Sequence, residues 1–355
     1  MQIHRPKGWS HGDSLVETLS YDDVLLVPQY SDLNTRKAVD LTSDLDEVLK
    51  FELPVISSPM DTITETDMAT AMHKAGGLGI IHRYNTIDEQ LKLVRDVFRE
   101  DPDARVSAAV GVTGDYFERA MALCETGVQV LCLDVAHGHH ALVKKALREL
   151  KNTFAESVHV MAGNVATREA FDALAEWGAD SIRVGIGGGS ICSTRLVTGH
   201  GIPTLQSVLD CARSTYDAKI IADGGIKTTG DMVKALAAGA DFVMVGSLLA
   251  GTKETPGDVL KTNEGIKYKV YRGMASLNAQ KAYRGRSSTP EGISTTVPYR
   301  GGVEQILQDF HGGIASGLSY TGASCLKDFR IKSRFVRQSS AGRNESSTHI
   351  LGRFQ

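Results

Sequence analysis

The residues with the clearest chemical potential lie in one glycine-rich stretch, residues 185–195, which reads GIGGGSICSTR. Three consecutive glycines let main-chain N–H and C=O groups approach a ligand, because no Cβ stands in the way. Ser190 adds a hydroxyl that suits a phosphate group. Cys192 follows two positions later, near in sequence to Arg195, whose positive charge would favour a thiolate. The pattern fits a phosphate site that carries a cysteine nucleophile. It also fits a glycine-rich turn around a buried, inert cysteine.

A regular scaffold must position these residues, and the hydrophobic pattern predicts one. Short apolar runs are typical of strands buried on both faces, and they cover residues 53–57, 78–81, 106–112, 128–134, 159–163, 181–186, 219–222 and 242–246. Segments with helical periodicity alternate with them, at residues 65–74, 87–97, 116–124, 141–150, 168–177, 205–213, 231–238 and, last, near 303–310. Eight strand–helix alternations predict a single-domain α/β protein, a (β/α)₈ TIM barrel, rather than an open sheet.

The remaining segments are interpreted as additions to that one domain. Residues 1–50 form an N-terminal extension, residues 251–300 an excursion after the eighth strand, and residues 335–355 a polar C-terminal tail. No low-complexity linker separates a second domain, and 42% hydrophobic residues are enough for a sizeable core.

Composition excludes several classes of partner. The formal charge is -3 with no long basic run, which argues against nucleic acid as a partner. No apolar run reaches the roughly 18 residues that a membrane span needs, and the first residues lack the apolar centre of a signal peptide. The five cysteines are scattered, which fits a reducing compartment. We therefore expect a cytoplasmic protein that binds neither nucleic acid nor membrane.

The loops after the seventh and eighth predicted strands are expected to bind phosphate, as is usual in this barrel. Gly225 follows the seventh strand, and Gly246 and Ser247 follow the eighth. With Ser190 they would surround one phosphate group. Asp223 is anionic and is better suited to accept hydrogen bonds from ribose hydroxyls, or to cap a helix.

Polar residues also end the fourth and fifth predicted strands. Asp134 ends the fourth and can accept a hydrogen bond from a sugar hydroxyl. Asn164 follows the fifth, and it either positions a substrate or ties neighbouring loops together.

Taken together, the motifs resemble those of the IMP dehydrogenase and GMP reductase family. The matching stretches are residues 21–28, 58–61, 77–82, 162–165, 185–195, 222–225, 244–247 and 271–274. The resemblance covers nearly the whole chain. It implies a barrel that binds a purine nucleoside monophosphate and a nicotinamide cofactor, and that forms a homotetramer. It also implies a potassium site made by main-chain carbonyls at Gly187, Gly189 and Cys192. The regulatory domain that the family often carries after its second strand is missing, and residues 99–105 join the flanking elements.

The resemblance also implies roles for individual residues. Cys192 would attack C2 of the purine, Thr194 would hydrogen-bond the leaving ammonia or attacking water, and Glu291 would contact the purine edge and move protons. Further substrate contacts would come from Ser58, Met60, Tyr271, Gly273 and Met274. The cofactor would lie against Asp134, Val135, Ala136 and Asn164. A protein that only senses nucleotides would not need the three reactive residues together.

Two family members differ in the direction of their chemistry, and the sequence favours the reductase, which converts GMP to IMP with NADPH. The dehydrogenase uses a mobile segment with an adjacent Arg-Tyr pair to activate water, whereas residues 273–290 are short and place Tyr283 before Arg284 and Arg286. The run that begins with Asp134 also resembles the reductase. Residues 290–292, residues 297–299 and the tail look more like the dehydrogenase. The alternative is an IMP dehydrogenase that uses NAD, with Arg284 or Arg286 as the base.

Overall fold

The computed structural model describes residues 16–284 and 289–346. In chain order its strands are β1 (Val24–Leu26), β2 (Ser43–Asp44), β3 (Lys50–Phe51), β4 (Val55–Ser57), β5 (Leu78–Ile81), β6 (Ser107–Val110), β7 (Val130–Asp134), β8 (His159–Val165), β9 (Ser181–Val184), β10 (Lys219–Asp223), β11 (Phe242–Val245), β12 (Leu260–Lys261), β13 (Lys267–Arg272), β14 (Ser294–Pro298) and β15 (Phe335–Arg337). Strands β4 to β11 pair in parallel and close into a barrel through the pairing of β11 with β4. The predicted TIM barrel is confirmed.

The described residues also form helices, most of which pack around the outside of the barrel. They are α1 (Thr66–Lys74), α2 (Ile87–Glu100), α3 (Tyr116–Glu125), α4 (Ala141–Phe154), α5 (Arg168–Glu176), α6 (Thr194–Thr198), α7 (Thr204–Cys211), α8 (Thr229–Ala237), α9 (Leu277–Arg284), α10 (Glu304–Ser319), α11 (Leu326–Lys332) and α12 (Ser340–Glu345). Outside the barrel, β12, β13 and β14 form an antiparallel sheet after the eighth barrel strand, and β15 pairs with β1. Within the described residues there is no separate regulatory domain. No helix among them is long and apolar enough to cross a membrane.

One strand end differs from the prediction in a way that matters for the site. The apolar run at residues 181–186 predicts a strand through Ile186, but β9 ends at Val184. Gly185 has a φ of +147°, and a Cβ there would lie 1.9 Å from the main-chain oxygen of Asp223. The chain therefore leaves the sheet at this glycine and starts the loop that carries Cys192.

The inside of the barrel below its mouth is filled by apolar side chains. Ile56, Ile221 and Met244 are among those that the barrel strands contribute, and all three are buried. The β2–β3 hairpin closes the opposite end, where the Phe51 ring meets Phe242 edge to face at 5.7 Å between centroids. Because the lower part is packed, the mouth at the C-terminal ends of the strands is where a ligand can enter.

A hydrogen-bond chain holds the hairpin to that closed end. Asp46 lies 3.0 Å from Nδ1 of the buried His159, whose Nε2 lies 2.8 Å from Oγ of Ser181. The hydrogen bond with His159 is the main reason that the pKa of Asp46 falls from 3.8 to about 2.

We predict that Asp46→Asn destabilises the fold at neutral pH by about 1 kcal/mol, after allowance for solvent screening of this partly exposed carboxylate. A pKa that is lower in the folded state means that ionised Asp46 stabilises the fold above its unfolded pKa. This stabilisation disappears as the pH falls from about 5 towards 2. Denaturant unfolding at pH 6 and pH 3 would show it as a difference from wild type that shrinks with acidity. Asp44→Asn on the same hairpin is the control, and an equal loss at both pH values would contradict the prediction.

Candidate active site

A cavity of about 630 Å³ opens at the C-terminal ends of the barrel strands. The residues for which the sequence predicts a site role all line it: Ser58, Met60, Asp134, Val135, Ala136, Asn164, Gly187, Gly189, Ser190, Cys192, Thr194, Asp223, Gly225, Gly246, Ser247, Tyr271, Gly273, Met274 and Glu291. A volume of this size is typical of a small-molecule site. The structure brings these residues to one place, while their individual roles stay predictions.

The loop of residues 185–195, called here the cysteine loop, is held together at its reactive end. The Cys192 thiol donates to Oγ1 of Thr194 at 3.2 Å, and the Cys192 amide donates to the Gly189 carbonyl at 3.1 Å. The Ser193 amide donates to the Glu291 carbonyl at 2.9 Å. Glu291 therefore belongs to a segment that is bonded directly to the cysteine loop, although about a hundred residues separate the two in the chain.

Arg195 has a different place from the one that the sequence suggests. Its guanidinium donates to the main-chain oxygens of Ile202, at 2.7 Å, and Ile186, at 3.4 Å. Within the described residues it has no hydrogen bond to Cys192. The charge of Arg195 thus joins the two limbs of the loop instead of lying against the thiol.

Three of the other cysteines are poor candidates for a nucleophile. Burial raises the pKa of Cys132 to about 11 and that of Cys211 to about 12. Burial likewise raises the pKa of Cys124 to about 12. These thiols stay protonated at neutral pH and are poor nucleophiles. Cys192 is only partly buried and lines the cavity.

The glycine after the eighth barrel strand lies close to several side chains of the cavity. A Cβ on Gly246 would lie 3.3 Å from both Sδ of Met60 and Oη of Tyr271, and 3.5 Å from Oγ of Ser58. Ser190 Oγ and Tyr271 Oη lie 3.4 Å apart. Burial raises the pKa of Tyr271, so its hydroxyl remains a hydrogen-bond donor. We call Gly246 and the four residues around it, Ser58, Met60, Ser190 and Tyr271, the glycine pocket.

A buried arginine that the sequence analysis did not single out connects two of the predicted site carboxylates. Arg183 donates from Nη1 to Asp134 at 2.7 Å, and from Nη2 to Asp223 Oδ2 at 2.9 Å. Burial opposes ionisation of both the arginine and Asp134. The opposite charges outweigh burial, so the pKa of Arg183 is raised and that of Asp134 is lowered. A charged residue inside the buried run of β9 was the available signal for a functional role.

Asn164 joins the same cluster. Its amide nitrogen donates to Asp223 Oδ2 at 2.7 Å and to the Gly185 carbonyl at 2.9 Å. It therefore ties together the ends of three barrel strands. All the hydrogen bonds that the Asp223 carboxylate accepts within the described residues go to Oδ2, and none goes to Oδ1.

A second cluster, also missed from the sequence, holds helix α9 over the mouth. The buried Asp61 accepts hydrogen bonds through Oδ2 from Nε of Arg272 and Oη of Tyr283, each at 2.9 Å. The Tyr283 ring packs against Tyr84 with 5.6 Å between centroids. Arg286 lies outside the described residues, and the side chain of Arg284 is not described.

The fold and site together define a TIM-barrel protein with a cysteine-bearing loop and a cavity at its mouth. Residues 18–349 match the family described as "IMP dehydrogenase / GMP reductase domain". The chain belongs to this family. It is therefore an oxidoreductase of purine metabolism by descent.

Relatives of both names are similar to this chain. An inosine-5'-monophosphate dehydrogenase from Nitrosopumilus maritimus is 34% identical over 94% of this chain and 98% of its own. A GMP reductase from Leishmania major is 34% identical over 96% and 98%. A dehydrogenase from Borreliella burgdorferi is 37% identical over 94% and 97%. The structure of GMP reductase from Trypanosoma brucei with guanosine 5'-monophosphate superposes with a TM-score of 0.87, at 32% identity, over 95% of this chain and 98% of that one.

We predict that Arg183→Gln costs about 3–5 kcal/mol of folding stability, because it leaves Asp134 and Asp223 buried with too little positive charge. Denaturant unfolding would measure the loss. Arg213→Gln is the matched control, since the Arg213 side chain is 73% exposed and lies 3.9 Å from Asp210. A loss for Arg183→Gln no larger than that of the control would show that the cluster does not depend on this guanidinium.

Proposed function

We propose that this protein is a GMP reductase, which converts GMP to IMP and ammonia with NADPH through a covalent bond between Cys192 and the purine. The observation that carries the proposal is the direct linkage of Cys192, Thr194 and the Glu291 segment beside the glycine pocket. A nucleophile, a neighbouring hydroxyl and a carboxylate-bearing segment are what expulsion of ammonia requires.

The nucleotide would bind from its phosphate to its base along the mouth. The phosphate lies among Ser190, Gly225, Gly246, Ser247 and Tyr271, where main-chain N–H groups are accessible and hydroxyls can donate. Asp223 Oδ1 accepts from the ribose. The main chain at Gly273 and Met274 contacts the base, and Ser58 and Met60 line the cavity beside the Gly246 turn. Binding of GMP by the Trypanosoma brucei relative supports this class of ligand.

The proposed reaction has two stages, loss of ammonia from a covalent adduct and then uptake of hydride at C2. The thiolate of Cys192 adds to C2 of GMP, and the 2-amino group leaves as ammonia after it has been protonated. The bound nicotinamide cofactor supplies the hydride that C2 then takes up. The C–S bond breaks, its electron pair returns to sulfur, and IMP is released. Thr194 lies next to the sulfur and, with Glu291, delivers the proton that ammonia carries away.

Cofactor and cation sites are part of the proposal. NADPH would lie against Asp134, Val135, Ala136 and Asn164, which line the cavity at the ends of β7 and β8. Potassium would be bound by the carbonyls of Gly187, Gly189 and Cys192, since carbonyl oxygens are the ligands that this ion prefers.

We also propose a homotetramer. Several large apolar side chains are exposed in the single chain, among them Leu196 at 90% and Ile331 at 76%. Contacts between subunits would cover such side chains, because burying apolar surface is favourable.

The dehydrogenase is the second candidate, since relatives with that name are equally similar. In that reading Arg284 or Arg286 would activate water after hydride has left C2. The tie between Tyr283 and Asp61 favours the reductase, because it anchors the chain immediately before those arginines to the loop after β4.

We predict that GMP with NADPH yields IMP, ammonia and NADP, and that IMP with NAD yields little or no XMP. Separate incubations with chromatographic product analysis would decide between the two directions. Cys192→Ala is the control for covalent catalysis, and it should lose activity by several orders of magnitude while it still binds GMP. Faster formation of XMP than of IMP would assign the protein as a dehydrogenase.

We predict that Glu291→Gln slows ammonia release by about 10²–10⁴-fold, the usual effect of losing a general acid, while GMP affinity changes much less. Single-turnover ammonia release and equilibrium GMP titration would separate the two effects. Glu264→Gln, at an exposed position outside the cavity, is the control. Equal losses in release and in affinity would mean that Glu291 binds the nucleotide without moving protons.

A further inference from the structure

A buried lysine outside the reactive cluster has an unusual environment. Lys269 lies on β13 and is only 2% exposed. Its ammonium donates to the main-chain oxygens of Thr252 at 3.2 Å, Lys253 at 3.5 Å, and Thr255. We call these three carbonyls the carbonyl cage. Within the described residues, Lys269 has no carboxylate within ion-pair distance.

A buried ammonium without a paired carboxylate is costly unless each of its protons has an acceptor. The ammonium has three protons and the cage has three carbonyl oxygens, so all of them can be satisfied. Carbonyl oxygens arranged around one positive charge are also the surroundings that a monovalent metal ion finds in proteins. Lys269 thus supplies as a side chain what a bound cation would supply elsewhere.

The cage is continuous with the turn that follows the eighth barrel strand. The amides of Leu249 and Ala250 donate to the Gly246 carbonyl at 3.0 and 3.1 Å, and Thr252 Oγ1 donates to the Leu249 carbonyl at 2.9 Å. Three hydrogen bonds therefore connect the glycine pocket with the carbonyls that bind Lys269.

The same strand also reaches the glycine pocket directly. Tyr271 follows Lys269 by two positions, so both side chains lie on one face of β13, and both are buried. The Tyr271 hydroxyl lies 3.4 Å from Ser190 Oγ and would be 3.3 Å from a Cβ on Gly246. Strand β13 thus carries both the Lys269 ammonium, which binds the carbonyl cage, and the Tyr271 hydroxyl, which lies beside the Gly246 turn.

We propose that Lys269 is a positioning residue of the phosphate site, in which its ammonium acts as a built-in monovalent cation that sets the spacing between the Gly246 turn and the Tyr271 hydroxyl. This inference rests on the proposed function, because it takes Gly246, Ser190 and Tyr271 of the glycine pocket as part of the site that binds the nucleotide phosphate. It adds a residue that touches neither substrate nor cofactor.

Equilibrium titration of three variants with GMP and with guanosine tests the proposal. Lys269→Met keeps the length of the side chain and removes the charge. We expect it to bind GMP about tenfold or more weakly, since carbonyls that lose their donors disturb the turn. Guanosine lacks the phosphate, so its affinity should stay within about twofold of wild type. Lys267→Met, at an exposed position on the same strand, should bind both ligands as wild type does.

Chemical rescue provides the second readout. Lys269→Ala leaves room for a small cation, so ammonium or methylammonium chloride should restore GMP affinity. Tetramethylammonium chloride at equal ionic strength should not, because it has no proton to donate. Lys269→Met should not respond to either salt, because its side chain fills the space. Wild type and Lys269→Met in the same salts separate this effect from any cation site in the cysteine loop.

These experiments distinguish failure of the Lys269 inference from failure of the proposed function. Equal weakening of GMP and guanosine in Lys269→Met, or no weakening of either, would overturn the inference while wild-type binding of GMP left the proposed function intact. Should Lys269→Met not fold, the response of Lys269→Ala to methylammonium decides in its place, and absence of rescue overturns the inference. Failure of the wild-type protein to bind GMP would overturn the proposed function and this inference together.

Discussion

The site depends on one buried guanidinium. Arg183 shares its charge between Asp134 and Asp223, which end two different barrel strands, and Arg83 adds a second positive charge 3.5 Å from Asp134. Two carboxylates and two guanidiniums, all largely buried, balance one another, so each group holds the others in place. The carboxylates proposed to contact cofactor and ribose thus belong to one electrostatic unit. A substitution of Asp134 or Asp223 would therefore alter the charge balance at the other carboxylate.

The charged cluster requires glycine at two neighbouring positions of the chain. A Cβ on Gly163 would lie 2.6 Å from Cβ of Arg183, so a glycine on the neighbouring strand makes room for the arginine. Gly185 must likewise lack a side chain, because the Asp223 carbonyl occupies that position. The glycines at strand ends are therefore required first by packing around the charged cluster, and the open approach to a ligand follows from the same absence of side chains.

The sequence predicts the barrel well because alternating buried strands and amphipathic helices are local patterns. It also predicts which residues meet at the mouth, since strand ends of a barrel share one face. It fails where contacts join distant parts of the chain. Arg183 looks like part of an apolar strand until its partners on two other strands are known. The tie between Asp61 and Tyr283 joins residues 222 positions apart. Asn164 could serve a ligand or the loops, and its amide nitrogen serves the loops.

Overall similarity does not separate reductase from dehydrogenase, because relatives with either name are 34% identical to this chain. The missing inserted domain does not separate them either. The alignment with the Borreliella burgdorferi protein spans 396 residues against 469 for the Nitrosopumilus maritimus protein, although both relatives are named as dehydrogenases, so length does not follow the name. In the chemistry proposed above, the two reactions differ in what reaches C2 once the cysteine adduct has formed. Burial is the main reason that the pKa of Tyr283 rises to about 12, so its hydroxyl stays protonated and keeps donating to Asp61 at neutral pH. In the alternative dehydrogenase, hydrolysis needs an arginine base close to Tyr283 in the sequence, and the hydrogen bond between Tyr283 and Asp61 restrains the chain at that point. In the proposed reductase, ammonia loss needs only a proton from Thr194, within the cysteine loop, or from Glu291, whose main-chain carbonyl is bonded to that loop, and that is the smaller demand on this structure.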